Sequence, residues 1–181
     1  MQMNRVAIVG SCGSGKSHVA RELGRLLDAP VTHLDAVYFD DEWNPLPPEK
    51  FEAAQRELVA APRWVIDGNY NSSLHVRLQA CDTVVMMDVP TWAALWGVFS
   101  RQLRHGAGQH TSGVYNRIRW GVLTYVATYR RRMRPKVLVK INELAADKRV
   151  LPHRPRRDAP LAGAGSRQPL ARHGGMDGRR P

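Results

Sequence analysis

Apolar residues along this chain fall into short β-branched runs separated by stretches with a helical repeat. Arg5-Val6-Ala7-Ile8-Val9, Trp64-Val65-Ile66 and Thr83-Val84-Val85-Met86-Met87 have the continuous apolar character of strands buried on both faces of a parallel sheet. Pro30-Val31-Thr32-His33-Leu34 reads as a further strand ending at Asp35. Between these runs, Val19, Ala20, Leu23, Leu26 and Leu27 recur at helical spacing, and Phe51, Ala54, Leu58 and Ala61 do so behind Pro48, a favourable helix-start residue. A short helix is expected from about Ser72, and Thr91 is a suitable N-cap for a helix whose apolar side is Trp92, Leu95, Phe99 and Leu103. Residues 105–113 hold three glycines and no core residues, which predicts a flexible loop between this helix and two basic helices over about 114–131 and 135–146. Strands alternating with helices predict an α/β fold, a parallel sheet covered on both faces.

From Leu151 the pattern stops. The last 31 residues contain five prolines, five glycines and seven arginines, and no Ile, Val, Phe, Tyr or Trp. Such a segment buries too little apolar surface to offset its ordering entropy, so the expected organisation is one domain over 1–150 and a disordered basic tail over 151–181. No apolar run approaches the ~20 residues of a membrane span, and the first strand starts too early to leave room for a secretory signal. Two cysteines, Cys12 and Cys81, without metal-type spacing suit reduced thiols in a cytoplasmic protein.

Charge divides the chain. Residues 1–88 carry 8 Lys/Arg against 12 Asp/Glu, whereas residues 89–150 carry 12 against 2. No acidic residue lies between Asp88 and Glu143, a stretch that includes Arg101, Arg104, Arg130, Arg131, Arg132 and Arg134. A band of this kind calls for an anionic partner or wide solvent exposure.

The run Gly10-Ser11-Cys12-Gly13-Ser14-Gly15-Lys16-Ser17 matches G-x-x-x-x-G-K-[ST], preceded by a strand and opening a helix. Glycines let the backbone wrap closely enough to aim successive N–H groups at phosphate oxygens, and the helix N-terminus adds positive potential. Gly10, Gly13, Ser14, Gly15, Lys16 and Ser17 are therefore the expected nucleotide-binding residues, with Lys16 on the β/γ-phosphates and the Ser17 hydroxyl on Mg²⁺. ATP with Mg²⁺ is the expected ligand pair. Guanine-specific switches usually carry an N-K-x-D motif, which is absent here.

Three further groups carry the chemistry. Asp67, at a strand end before Gly68, is placed to hold Mg²⁺ through water, and is preferred to Asp88, which Pro90 and Thr91 mark as the start of a helix. Asp35 ends a strand on the ligand side of the sheet and faces an acceptor hydroxyl in this reading; its alternative is a turn-forming acid. Arg101 and Arg104 enter the glycine-rich loop and Arg134 leaves the helix beyond it, so the segment 101–134 reads as a lid over bound phosphates, or else as a solvated basic face. Lys16, Asp35 and Arg101 are the catalytic candidates, and Arg104 and Arg134 join the phosphate-binding set.

Beyond these motifs, the phrases His33-Leu34-Asp35, Trp64-Val65-Ile66-Asp67-Gly68-Asn69-Tyr70, Arg77-Leu78, Cys81-Asp82-Thr83, Met87-Asp88-Val89-Pro90 and Arg134-Pro135-Lys136 resemble small P-loop kinases of the adenylate-kinase-like group, above all the bacterial DNA topology modulation proteins. The resemblance implies a three-layer P-loop NTPase fold, with a five-stranded parallel sheet of nucleoside-monophosphate-kinase type and a mobile lid. It implies an ATP phosphotransferase acting on a small-molecule acceptor. The rival reading is a regulatory ATPase or nucleic-acid-associated protein that binds through the basic half and tail. Asn71 stands where adenylate kinases grip AMP with an arginine, and Gly97 stands where they place an arginine against adenine. The closing strand and adenine-contacting loop are expected to be missing, replaced by the tail, and AMP is not the expected acceptor.

Overall fold

The computed structural model describes residues 3–105, 108–109, 115–116 and 120–153. Its centre is a five-stranded sheet built from β1 (Arg5–Gly10), β2 (Val31–His33), β3 (Trp64–Asp67), β4 (Thr83–Met87) and, last in the chain, β7 (Arg149–His153). The order is β2-β3-β1-β4-β7 and every pairing is parallel. β1 is therefore central, and the loop that leaves it emerges between the carboxyl ends of β3 and β4. Ligands of open α/β sheets gather at such a point.

Strand alternation assigns the two faces. Val6, Ile8, Val65, Val85 and Met87 pack with Val19 and Ala20 of α1 (Lys16–Leu27). Ala7, Val9, Ile66, Val84 and Met86 point the other way, onto a core with Phe51 of α3 (Pro48–Val59), Leu74 and Leu78 of α4 (Leu74–Ala80), and Val137 and Ile141 of α7 (Arg134–Leu144). Helices thus cover both faces, giving three layers. A third, smaller core joins Val89, Ala94 and Val98 to Val126, where α5 (Thr91–His105) meets α6 (Trp120–Arg132), and Cys12 of the P-loop packs against it.

Several expectations are corrected. The closing strand is present as β7, and Leu151, Pro152 and His153, assigned to the tail by composition, pair with Val85, Met86 and Met87. None of the three is β-branched or aromatic in the strand-forming sense and Pro152 lacks an N–H, but β4 offers an open edge of backbone groups that needs partners. The rest of the tail, 154–181, lies outside the described residues. The strand before Asp35 stops at His33, and Asp35 sits in the first turn of α2 (Leu34–Tyr38), because fully buried Leu34 turns inward beneath Gly68. The helix expected from 114 begins at Trp120; ahead of it, β5 (Gly108–Gln109), in the stretch expected to be loop, pairs antiparallel with β6 (Tyr115–Asn116), in the stretch expected to start the helix.

The apolar side of α5 is also not where periodicity put it. Of the residues expected to face inward, Leu95 alone packs, partly buried, against the core of Ala94 and Val98, whereas Trp92, Phe99 and Leu103 are exposed, as is Trp96. Small residues face inward because the helix backbone lies against the P-loop: a Cβ on Gly97 would stand 2.1 Å from the Gly13 carbonyl oxygen. Among the described residues, no helix is long and apolar enough to cross a membrane.

Ending the chain at Lys148 removes β7 and unpairs the β4 edge, whereas ending it at His153 retains the strand. Thermal unfolding should show a midpoint several degrees lower for the shorter chain, with about 1–2 kcal/mol lost. Equal midpoints for the two truncations would show that β7 contributes nothing.

Candidate active site

The P-loop takes its shape from backbone that side chains would obstruct. Gly13 has φ of 74°, and a Cβ there would lie 2.0 Å from the Ala94 carbonyl oxygen. Gly15, left-handed at φ 89°, then caps α1. Lys16 folds back over the loop, its Nζ donating to the carbonyl oxygens of Gly10 at 3.0 Å and Ser11 at 2.8 Å. The hydroxyls of Ser11 and Ser14 are buried without a hydrogen-bond partner. A lysine ammonium, a helix N-terminus and two orphaned hydroxyls make a cradle whose polar groups an anion would satisfy.

The turn after β3 binds this loop to the rest of the site. Asn69 grips Gly10 on both sides: its Oδ1 accepts from the Gly10 N–H at 2.8 Å, and its Nδ2 donates to the Gly10 carbonyl at 2.6 Å. Asn69 Nδ2 also lies 2.8 Å from the Tyr125 hydroxyl on α6, linking the turn, the P-loop and that helix. Burial is the main cause that pushes the Tyr125 phenol up to about 12, so it stays protonated.

Beneath the turn is Arg77, with no exposed surface. Its Nη1 donates to the Gly68 carbonyl at 2.6 Å, its Nη2 to the Asn69 carbonyl at 2.8 Å and its Nε to Gln55 Oε1 at 3.0 Å. Burial lowers the Arg77 pKa to about 10, opposed first by the charge of Asp67, so the guanidinium remains cationic at neutral pH. Lys140 of α7 completes the fastening, its Nζ donating to the Asn71 carbonyl at 2.6 Å.

Two carboxylates stand at the neighbouring strand ends. Asp67 is buried, with Oδ1 2.8 Å from His33 Nδ1 across the β2–β3 pairing. Asp35 receives the Tyr70 hydroxyl on Oδ1 at 2.6 Å. Burial, and then the charge of Asp35, raise the Tyr70 pKa far above the usual phenol range, so this donor is permanent. The third acid, Asp88, is committed elsewhere: Arg134 Nε and Nη2 donate to its Oδ1 and Oδ2 at 3.2 and 2.9 Å, and Arg130 approaches at 3.7 Å. This ties the end of β4 to the start of α7. It also occupies Arg134, expected on phosphate, with a protein carboxylate.

Arg101 is half-buried on α5, at the helical spacing set by Ala94 and Val98, which lie against Gly13. Arg104 lies in the last turn of this helix, and its side chain falls outside the described residues. Among the described residues no three His, Cys, Asp or Glu side chains cluster as a metal cage. A phosphate-bound Mg²⁺ needs only one or two protein ligands, which a buried strand-end carboxylate and a helix-start serine can supply.

Asn69 and Arg77 stand in phrases that carry the resemblance but have no role assigned by it, and Tyr125 stands in none. For Arg77 a signal existed: a charged residue on the same helix face as Leu74 and Leu78, where only a paired cation can sit.

No family model matches the chain, and no curated protein sequence matches it. Among solved structures, its fold is similar to that of shikimate kinase from Acinetobacter baumannii in complex with shikimate, with a TM-score of 0.52 and 16% identity over 86% of each chain. The fold is that of small P-loop kinases. Shikimate kinase from Bacteroides thetaiotaomicron superposes at a TM-score of 0.44 with 16% identity, over 83% of this chain and 85% of that one. Deoxyadenosine kinase from M. mycoides, with products dCMP and dCDP bound, superposes at 0.42 with 14% identity, over 82% and 88%.

Arg77→Met should cost about 3–5 kcal/mol in denaturant unfolding, because it strands the Gly68 and Asn69 carbonyls and takes the nearby positive charge from the buried Asp67, which then keeps its His33 contact alone. A loss below about 1 kcal/mol would mean that the turn holds its shape without the guanidinium.

Proposed function

We propose that this protein is an ATP-dependent phosphotransferase that moves the γ-phosphoryl group to the hydroxyl of a small acceptor. The observation that carries the reading is the convergence at the carboxyl ends of β1, β2 and β3: Lys16 folded over the P-loop, Asp67 at the end of the adjacent strand β3, and Asp35 held by Tyr70. In this reading Lys16 and the loop amides bind the phosphates. Ser17 and Asp67 would hold Mg²⁺, which neutralises phosphate charge when bound. Asp35 accepts the acceptor's proton as the new O–P bond forms and the bond from the γ-phosphorus to the β–γ bridging oxygen breaks, releasing ADP. Arg101 stabilises the charge spread over the transferred group, and α5 and α6 with their connection act as the lid.

The acceptor side supports a substrate without a phosphate of its own. An open cleft of about 430 Å³ beside Tyr70 is walled by Tyr38, Phe51, Glu49, Glu52 and Arg56. Its arginine is already paired, with Arg56 Nη2 2.6 Å from Glu52 Oε1. Residue 71 is an amide rather than a cation, and its Oδ1 is buried without a partner. Rings and carboxylates of this kind suit a neutral or cationic hydroxyl compound. The likeness of the motifs to DNA topology modulation proteins, and the basic half of the chain, keep a regulatory ATPase that binds nucleic acid as the rival.

ADP release should be screened against pairs of acceptors that differ only by a phosphate, such as nucleosides and their 5′-monophosphates. Turnover stimulated by an unphosphorylated member is the expected result. Salt-dependent DNA binding with no acceptor effect would replace the kinase reading by its rival.

Lys16→Ala should weaken ATP binding by two orders of magnitude or more, roughly 3 kcal/mol, with little change in thermal midpoint. Unchanged affinity in a folded variant would remove the P-loop assignment. Arg101→Ala should lower kcat by ~10³-fold while ATP affinity moves only a few-fold, since the group acts on charge that develops during transfer. Intact turnover with lost DNA binding would decide for the rival.

A further inference from the structure

We propose that the outer face of α5 is a dimer interface, on which a second copy of this chain packs its own α5 antiparallel to the first. This inference does not depend on the kinase reading. Trp92, Trp96, Phe99 and Leu103 form one stripe at helical spacing, exposed to 68, 63, 53 and 69% respectively. The inner face of the helix is already used, with Ala94 and Val98 in the core shared with α6 and the P-loop. Trp96 and Phe99 lie ring to ring, their centroids 6.2 Å apart, so the centre of the stripe is a packed aromatic pair rather than scattered side chains.

Spacing, charge and area select the occupant. The intervals along the stripe are four, three and four residues, the same read from either end. A twofold axis between Trp96 and Phe99 therefore sets Trp92 against Leu103 of the second copy, and Trp96 against its Phe99, as a self-complementary contact requires. Within the span of the stripe, residues 92–103, the one charged residue is Arg101, half-buried and on the opposite side of the helix by its spacing. A single-stranded nucleic acid needs cations among the aromatic rings, and a helix lying in a membrane surface needs Lys/Arg along its polar face. Charge-poor, aromatic-rich patches are the mark of the buried centre of protein interfaces, homodimers above all. With aromatic side chains burying about 150–250 Å² each, the exposed stripe amounts to on the order of 500 Å² per copy. A stable interface takes ~800 Å² per partner, so the stripe supplies the larger part of it.

Sedimentation velocity of the full chain from about 1 to about 100 µM reads the proposal directly. A dimer with a Kd in the low micromolar range is expected, and Trp96→Glu should raise that Kd by ~30-fold or more. Circular dichroism checks that the variant is folded; if it is not, Phe99→Ser, a milder change at the same axis, takes its place with the same expected direction. An equimolar mixture of Trp92→Cys and Leu103→Cys chains should oxidise preferentially to the mixed disulfide, which reports the antiparallel register. A monomer at every concentration would overturn the proposal, as would a dimer indifferent to both substitutions. Stripe-dependent binding of a monomer to phosphatidylcholine/phosphatidylglycerol vesicles, or to oligo-dT, would overturn it in favour of a lipid or nucleic-acid surface.

Discussion

One buried cation organises the ligand end of the sheet. The Arg77 guanidinium, without exposed surface, holds the carbonyls of Gly68 and Asn69 from below. A charge removed from water at this depth is tolerable only when its donors are satisfied and a counter-charge lies near, here several hydrogen bonds and the Asp67 carboxylate. The turn it braces carries three hydrogen bonds in succession: Asp67 with His33, Asn69 with Gly10, and Tyr70 with Asp35. The orientation of both acids and of the P-loop entrance thus depends on one side chain from α4.

The second constraint is steric. P-loop and α5 meet backbone to backbone, Gly13 against Ala94 and Gly97. A contact this close permits only small residues on the inner face of α5. It therefore turns the large apolar residues of that helix outward, to the surface on which the dimer proposal rests. Gly97, which as a sequence departure looked like a lost arginine, has a packing reason for being glycine. The same contact places Arg101 one turn beyond the P-loop.

Charge is distributed across the site in a way that favours a division of labour. The cleft beside Tyr70 is acidic and aromatic, whereas α5, α6 and α7 contribute the arginines and lysines. In the proposed reaction the basic half serves the phosphates of ATP and the acidic half an acceptor that brings none. Part of the basic band is neutralised internally, since Asp88 engages both Arg134 and Arg130.

Much of the fold was legible in the residues taken alone. Continuous β-branched runs mark β1, β3 and β4 because strands buried on both faces need apolar residues at every position, and the glycine spacing before Lys16 reflects backbone geometry that other residues cannot adopt. Local signals of this kind need no knowledge of neighbours. The strand β7, the outward face of α5, the turn into α2 and the contacts of Arg77 and Asn69 were decided by tertiary structure. β7 forms across the start of a Pro/Gly/Arg-rich segment because the edge of β4 requires hydrogen-bond partners. Periodicity finds the apolar stripe of α5 but not its direction, because what faces inward is set by how closely the P-loop backbone approaches. A polar side chain such as Asn69 reads as surface until the fold brings a carbonyl or an N–H within 3 Å of it, and for Arg77 the helix face hints at burial while its partners are set by the fold.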